Sequence, residues 1–250
     1  MSQDCVCCAG ATPALKYARG FLEAAGVPVT DGPGWDTRHL LLDVPSFRPG
    51  LWTEEALDTL LSSLPREVTV WGGNLNHPAL AGFQTVDFLQ NEEYLLENAC
   101  ITAQCTIPIA ESLLKAPWQA MPVLIIGWGR IGKALAAMLK DRGCSVTMAS
   151  GTQQHQWAAA DAGFPCVDSG NLKDVLPSFR LIVNTAPAQV LSEADVSQCR
   201  NCVKIDLASV KGIGGDDVHW ARALPGRYAP ERSGFLIAKT FLHLQKEEKR

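Results

Sequence analysis

The segment PVLIIGWGRIGKALAAMLKDRG, residues 122–143, decides the fold of the second half of the chain. It joins an apolar strand, a turn of the form Gly127-x-Gly129-x-x-Gly132, and an amphipathic helix. In such turns the first glycine permits the tight bend, the second lets the backbone approach a pyrophosphate, and the third allows close packing of helix on sheet. Amides at the helix start then face the anion. The segment predicts a Rossmann-type domain that binds a nicotinamide dinucleotide; the alternative is a glycine turn without a ligand.

Loops at the carboxyl ends of neighbouring strands are expected to border this ligand, because open α/β sheets bind ligands there. The strand SVTMAS ends at Ser150 without a carboxylate for the ribose hydroxyls, which favours NADP over NAD, although no arginine follows at once. The other loops are VNTAP (183–187) and DLAS (206–209), where Asp206 is equally consistent with a structural cap. The residues predicted to bind the cofactor are Gly127, Trp128, Gly129, Arg130, Ile131, Gly132, Ser150, Gly151, Thr152, Thr185, Ala186, Pro187, Asp206, Leu207 and Ala208.

Apolar strands alternate with helices along the whole chain, which indicates parallel sheets covered by helices on both faces. The sequence predicts an α/β protein with two Rossmann-like or flavodoxin-like parallel-sheet domains and an interdomain cleft. A substrate-side domain is expected at residues 1–116 and the dinucleotide-binding domain at 117–230. The C-terminal segment 231–250 is expected to form a helix that packs back on the first domain. A helix over 102–114 is expected to be broken by Pro108.

The composition excludes several classes of partner. Lys and Arg number 22 against 26 Asp and Glu, without a basic block, so nucleic acid is not an expected partner. No apolar run approaches the ~20 residues that span a bilayer. The start, MSQDCVCC, lacks the cationic and apolar stretches of a secretory signal. These observations predict a cytoplasmic protein that does not bind membranes.

The nine cysteines are odd in number and scattered, which does not indicate a disulfide framework or a metal site. Cys199-x-x-Cys202 has the spacing of a redox motif. Thiolate activation in such motifs relies on a helix N-terminus, whereas Cys202 opens a strand. We therefore expect packing roles for the cysteines, and no metal.

A set of segments in both halves of the chain carries a family resemblance. The segments are GWGRIGKALA (127–136), LIVNTAP (181–187), KIDLAS (204–209), LPGRYAPERSG (224–234), DVPSF (43–47) and ENACITAQCTIPIA (97–110). Together they resemble the A-type subunit of dipicolinate synthase, a family of spore-forming bacteria. More distantly, the chain resembles the D-2-hydroxyacid dehydrogenases, whose final helix crosses back onto the first domain.

The resemblance implies a sporulation enzyme that oxidises a dihydrodipicolinate-like cyclic diacid, with hydride passing to NADP. It also implies a small-molecule dicarboxylate substrate, and it leaves open a homo-oligomer and a partner like the B-type subunit of dipicolinate synthase. The chain departs from the family in a shorter first domain and in a strand expected to be missing near Ala221. This expected loss beside the nicotinamide site brings the activity into question.

Candidate residues for the chemistry come from both halves. His77, after the turn at residues 72–76, is the candidate catalytic group. Arg227 and Arg232 are candidates for binding substrate carboxylates through paired guanidinium hydrogen bonds, and two solvated arginines are the alternative. The other candidates for substrate binding are the neutral donors Ser46, Asn74 and Thr106, and the cation Lys211.

Two other functions remain open. A non-catalytic or regulatory dinucleotide-binding paralogue would keep the glycine turn and lack turnover. A 2-hydroxyacid dehydrogenase would require a histidine with an acidic partner near the C-terminal loop. The sequence offers His219 there, without a glutamate in the loop, and predicts helices at His155, His219 and His243.

Overall fold

The computed structural model describes residues 4–199 and 201–248. The chain divides into two compact units, the first made of Met1–Asn98 with Pro225–Arg250 and the second of Ala99–Leu224. The ends of the predicted segments 1–116 and 231–250 lie outside the described residues.

The strands and helices follow one another in a regular alternation. In chain order they are β1 Cys5–Ala9, α1 Pro13–Ala24, β2 Val29–Thr30, β3 Thr37–Leu42, α2 Glu54–Ser62, β4 Thr69–Gly72, β5 Gln84–Asp87, α3 Glu92–Leu114, β6 Pro122–Ile126, α4 Arg130–Asp141, β7 Ser145–Ser150, α5 Gln153–Asp161, β8 Cys166–Asp168, β9 Leu181–Asn184, α6 Glu193–Ser197, β10 Val203–Asp206, β11 Val218–Trp220, α7 Leu224–Tyr228 and α8 Pro230–Glu248.

The first unit is built on a five-stranded sheet in the order β2-β1-β3-β4-β5, with every pairing parallel. The C-terminal helix α8 packs against α1. Gly234 makes this close approach feasible, because a Cβ at that position would lie 2.5 Å from the carbonyl oxygen of Ala14. The last helix is thereby part of the first unit.

The second unit is built on a six-stranded parallel sheet in the order β11-β10-β9-β6-β7-β8. If β6 to β11 are numbered 1 to 6, the order read from β8 to β11 is 3-2-1-4-5-6, as in dinucleotide-binding folds. The predicted fold class, two parallel-sheet α/β domains, is confirmed.

The expectation of a missing strand near Ala221 is wrong. β11 pairs in parallel with β10 and completes the sheet just before Ala221. The same strand corrects the prediction of a helix at His219, which lies on β11 opposite Ile205. A strand of only three residues, next to Asp216 and Asp217, lacks the apolar run by which the longer strands are recognised.

The predicted break at Pro108 is also wrong, because α3 continues through it from Glu92 to Leu114. The helix starts earlier than expected because Asn91 Oδ1 accepts a hydrogen bond from Tyr94 N, and acidic residues occupy the first turn. Among the described residues, none of the helices has the length and apolar character that crossing a membrane requires.

Candidate functional site

Two glycines of the turn after β6 are required by packing. Gly127 has φ +106°, and a Cβ there would lie 2.6 Å from Thr185 Oγ1. A Cβ on Gly132 would lie 2.1 Å from the carbonyl oxygen of Gly127. Thr185 donates from its hydroxyl to the carbonyl oxygen of Ile126 at 3.0 Å, which fixes the loop after β9 against the turn. Neither glycine can be replaced without moving backbone.

Gly129 differs from these two glycines, because packing does not require it. It is exposed, has φ −84°, which any residue adopts, and a Cβ built there would meet nothing within 4 Å. It immediately precedes α4, whose first amides have no partner within the helix. A glycine with open space in front of it, at the positive end of a 12-residue helix, is the arrangement that admits a pyrophosphate.

A cavity of 260 Å³ lies in front of this turn. It is formed by the glycine turn, by the end of β7 and by the loop after β9. The predicted cofactor residues that line it are Gly127, Trp128, Gly129, Ser150, Gly151, Thr185, Ala186 and Pro187. The other lining residues are Ile126, Ala149, His155, Ser169 and Val190.

Four of the remaining predicted cofactor residues are near the cavity in sequence but do not line it. Arg130 is exposed at the first position of α4, and Ile131 follows it half-buried. Gly132 packs against the turn, as described above. Thr152 caps α5, because its side chain accepts a hydrogen bond from His155 N at 3.4 Å. None of the four is among the residues that line the cavity.

Asp206, at the end of β10, is a structural cap. Its carboxylate is fully buried and accepts from the backbone amides of Ala208, Gly212 and Ile213 at 2.7–3.0 Å, and from Asn184 Nδ2 at 3.1 Å. These four bonds use the acceptor capacity of both oxygens. Of the two roles left open by the sequence, the structure therefore favours the cap. Leu207 and Ala208 are buried and do not line the cavity.

The second charged residue of β10 is also tied to the loop that follows. Lys204 is almost completely buried, and its Nζ lies 2.5 Å from Asp217 Oδ2. Asp217 is 65% exposed, so one end of the pair reaches solvent. Because residues 204 and 206 lie on the same face of a strand, both charges hold the connection between β10 and β11 in place.

Two of the candidate substrate donors have their hydroxyls engaged by backbone. Ser46 is fully buried, donates to the carbonyl oxygen of Asp43 at 2.7 Å and accepts from Gly73 N at 3.0 Å. Thr106 is buried in α3 and donates to the carbonyl oxygen of Thr102 at 2.9 Å. Neither hydroxyl hydrogen is available to a substrate in this arrangement, so both residues leave the set of candidate donors.

His77 has a local structural role. Its Nδ1 accepts from Ala79 N at 3.3 Å, which caps a short 3-10 turn, and its ring stacks on Phe47 with centroids 4.1 Å apart. Asn74 is exposed with φ +58°, at the turn after β4. The contacts of His77 hold the local turn, and the roles of both residues in the chemistry stay predictions.

The three candidate cations are differently placed. The Arg227 guanidinium lies 5.8 Å from the centroid of the exposed Tyr228 ring. Arg232 is exposed in the first turn of α8. Lys211, in the second unit, donates from Nζ to the carbonyl oxygen of Gly215 at 2.9 Å. The two arginines remain accessible to an anion.

The Cys199-x-x-Cys202 pair does not have the environment of a reactive thiol. Burial, with the neighbouring Cys199 as the next cause, raises the pKa of Cys202 to about 12. Burial also raises the pKa of Cys199. Thiols with raised pKa values are poor nucleophiles at neutral pH. Among the described residues, no group of three or more His, Cys, Asp or Glu side chains is placed to hold a metal ion.

Comparison with known proteins agrees with the architecture. Residues 118–216 match the family described as acetohydroxy acid isomeroreductase, NADPH-binding domain. This range contains the glycine turn and five of the six strands of its sheet, and β11 follows directly. The chain thus has the fold of NAD(P)-binding oxidoreductases, and the match supports a nicotinamide dinucleotide as the cofactor.

Within that class, the chain is similar to one kind of protein in particular. The A-type subunit of dipicolinate synthase from Bacillus subtilis (strain 168) is 24% identical over 188 aligned residues, which cover 69% of this chain and 63% of that protein. The alignment thus spans less than two thirds of the relative. The predicted resemblance to the A-type subunit of dipicolinate synthase is confirmed.

Solved structures show the same likeness of fold. The dipicolinate synthase A chain of Bacillus subtilis gives a TM-score of 0.79 at 18% identity, covering 99% of this chain and 97% of that one. The corresponding polypeptide from Bacillus halodurans gives 0.80 at 18% identity, covering 96% and 97%. An oxidoreductase of Ralstonia solanacearum, described as a D-3-phosphoglycerate dehydrogenase, gives 0.57 at 14% identity, covering 98% and 95%.

Proposed function

We propose that the chain is an NADP-dependent oxidoreductase that removes hydride from a dihydrodipicolinate-like cyclic diacid. The observation that carries the proposal is the cavity of 260 Å³ in front of Gly129. It joins an open glycine, the start of α4 and the hydroxyl-bearing end of β7 on a complete 3-2-1-4-5-6 sheet. The likeness to the A-type subunit of dipicolinate synthase supports the choice of substrate class.

The residues of the cavity fit a dinucleotide. The amides at the start of α4 would hold the pyrophosphate next to Gly129, and the loop Thr185–Pro187 would border the nicotinamide half. When bound, NADP supplies a hydride acceptor. The protein's task is then to hold the diacid by its two carboxylates and to exclude water, with loss of a ring proton accompanying aromatisation.

The preference for NADP over NAD rests on the end of β7. NAD sites place an Asp or Glu there to accept from the ribose hydroxyls, and such a carboxylate repels a ribose phosphate. Here the position is Ser150, followed by Gly151 and Thr152. The residues that line the cavity include hydroxyls and an imidazole and no carboxylate.

Arg227 and Arg232 are the proposed anchors for the diacid, because they are exposed cations on the segment that resembles the family. Losing a charge-assisted hydrogen bond costs about 1.5–3 kcal/mol, or roughly one to two powers of ten in affinity. We expect Arg227→Ala or Arg232→Ala to weaken the binding of dipicolinate by about that factor. NADP affinity should be nearly unchanged, because neither arginine lines the dinucleotide cavity.

Arg66→Ala is a matched control for this experiment. Arg66 is also exposed, and its guanidinium also lies 5.8 Å from an aromatic centroid, that of Phe83. Isothermal titration with dipicolinate in the presence of saturating NADP provides the measurement. If the two arginine variants bind the diacid as tightly as Arg66→Ala does, the arginines are solvated surface groups. If the unsubstituted protein binds no pyridine diacid, the substrate proposal fails.

One alternative function has a specific observation in its favour. The likeness of fold to the D-3-phosphoglycerate dehydrogenase structure fits a 2-hydroxyacid dehydrogenase. However, the histidine expected for it, His219, is exposed on β11, and its acidic neighbour Asp217 is paired with Lys204. Nicotinamide reduction by 2-hydroxyacids, compared with reduction by a dihydropyridine diacid, separates the two enzymes. The pairing of β11 with β10 answers the argument from a missing strand, and a non-catalytic paralogue stays an alternative that the activity assay tests.

The likeness to the A-type subunit of dipicolinate synthase supports two broader proposals. They are a role in sporulation, and assembly either with a partner like the B-type subunit of dipicolinate synthase or with further copies of this chain. A cytoplasmic location is a further proposal from the sequence. Size measurement of the protein alone and after mixing with such a partner tests the assembly.

A further inference from the structure

Two residues not predicted for the site line the dinucleotide cavity at the end of β7. They are His155, in the first turn of α5, and Ser169, directly after β8. They line the same cavity as Ser150 and Gly151, the residues where NAD-binding domains normally carry an acid. The packing of α5 and β8 beside β7 brings both side chains to this end of the cavity, and neither is needed for the turn of the glycine motif.

Hydrogen bonds bring the three polar side chains together from separate elements. Gln156 donates from Nε2 to the carbonyl oxygen of Ser150 at 2.8 Å, which ties α5 to the end of β7. The pairing of Ser150 with Asp168 brings the end of β8 alongside. A Cβ on Gly151 would lie 3.0 Å from Ser169 Oγ, so this hydroxyl borders the turn after Ser150.

The lining of the cavity and the start of α5 favour an anion, whereas the exposed Asp168 carboxylate next to Ser169 opposes one. The cavity lining contains no carboxylate, and the start of the nine-residue helix α5 adds partial positive charge. The strands packed against α5 carry two ionisable side chains, Cys166 and Asp168. Burial raises the pKa of the Cys166 thiol, so it stays neutral, and Asp168 Oδ1 accepts from Gly170 N at 2.8 Å.

We infer that His155 and Ser169, together with Ser150, bind the 2′-phosphate of the adenine ribose and set the preference for NADP. The inference rests on the proposed function. A phosphate offers three strong acceptor oxygens, which match an imidazole N–H and two hydroxyls. NAD carries a single hydroxyl at this position, which can accept fewer hydrogen bonds than a phosphate. His155 thus takes the place that an arginine occupies in many NADP sites.

The test compares ligands that differ only in this phosphate. NADP and NAD are titrated calorimetrically against the unsubstituted protein, His155→Ala and Ser169→Ala, and adenosine 2′,5′-bisphosphate and AMP serve as fragments. Gln154→Ala is the matched control, because Gln154 is exposed in the same helical turn and does not line the cavity. We expect His155→Ala to weaken NADP about tenfold or more and Ser169→Ala somewhat less, with NAD unchanged.

Each other outcome has a distinct meaning. Equal weakening of NADP and NAD by His155→Ala would overturn the inference, since the histidine would then act on a part common to both ligands. No change in either affinity, or tighter binding of NAD by the unsubstituted protein, would overturn it too, while leaving a dinucleotide-binding oxidoreductase intact. Binding of neither dinucleotide nor either fragment would instead overturn the proposed function itself.

Discussion

Replacing Gly129 by valine separates ligand binding from folding more sharply than any other change in the turn. A Cβ at Gly129 meets nothing within 4 Å, and its φ of −84° is open to all residues, so a side chain at this position begins in open space. Gly129 is the N-cap of α4, and loss of a favourable cap costs about 1 kcal/mol. For a chain of this size that lowers the Tm by roughly 2–4 °C.

The effect on binding should be much larger than this effect on stability. Valine fills the space through which a pyrophosphate would reach the amides of the turn. Loss of two charge-assisted hydrogen bonds, at about 1.5–3 kcal/mol each, amounts to roughly 3–6 kcal/mol. The affinity for the dinucleotide should therefore fall by about two to four powers of ten.

Thermal unfolding and calorimetric titration of the same samples make the comparison. Gly20→Val is the control, because Gly20 is also exposed and also has no neighbour within 4 Å of a Cβ, but lies on α1 in the first unit. It should leave cofactor affinity unchanged. A folded Gly129→Val protein with unaltered affinity would refute the assignment of the glycine turn as the pyrophosphate site.

Two further predictions concern specificity and stability. Ser150→Asp should reverse the preference between the two cofactors, because the new carboxylate repels a ribose phosphate and accepts from ribose hydroxyls; a calorimetric comparison in which NADP stays the tighter ligand would contradict this. Asp217→Asn should lower the free energy of unfolding by about 1–3 kcal/mol, less than the loss of a fully buried partner, because Asp217 is 65% exposed. Lys204→Met, which removes the buried charge as well, should cost less, and the order of the two Tm values in thermal unfolding checks the reasoning.

The parts of the fold that could be predicted are those encoded by continuous local patterns. The helix Arg130–Asp141 lies in the amphipathic part of the segment 122–143, and the strand Leu181–Asn184 opens the segment LIVNTAP, since an amphipathic period and a solid apolar run define them. β11 has no such local pattern, because its three residues gain their strand conformation from pairing with β10. The break predicted at Pro108 shows the opposite error, in which a local rule is overridden by the rest of a long helix.

The residues of the candidate site also divide into those encoded in one stretch of sequence and those that depend on packing. The glycine turn and the loops after β7 and β9 each stand in one stretch of sequence, and they meet because parallel strands share an edge. His155 and Ser169 required the packing of α5 and β8 to be known, although the position of His155 three residues after the cap Thr152 is a usable signal. The engagement of Ser46 and Thr106 by backbone carbonyls has no sequence signature.

We propose that the second unit binds NADP as the cofactor of an oxidoreductase. The decisive experiment is titration of the unsubstituted protein with NADP and with NAD, followed in the same samples by nicotinamide reduction on addition of a dihydropyridine diacid. We predict that both dinucleotides bind, that NADP binds more tightly, and that the absorbance of the reduced cofactor appears with the diacid. A folded protein that binds neither dinucleotide would rule out this proposal.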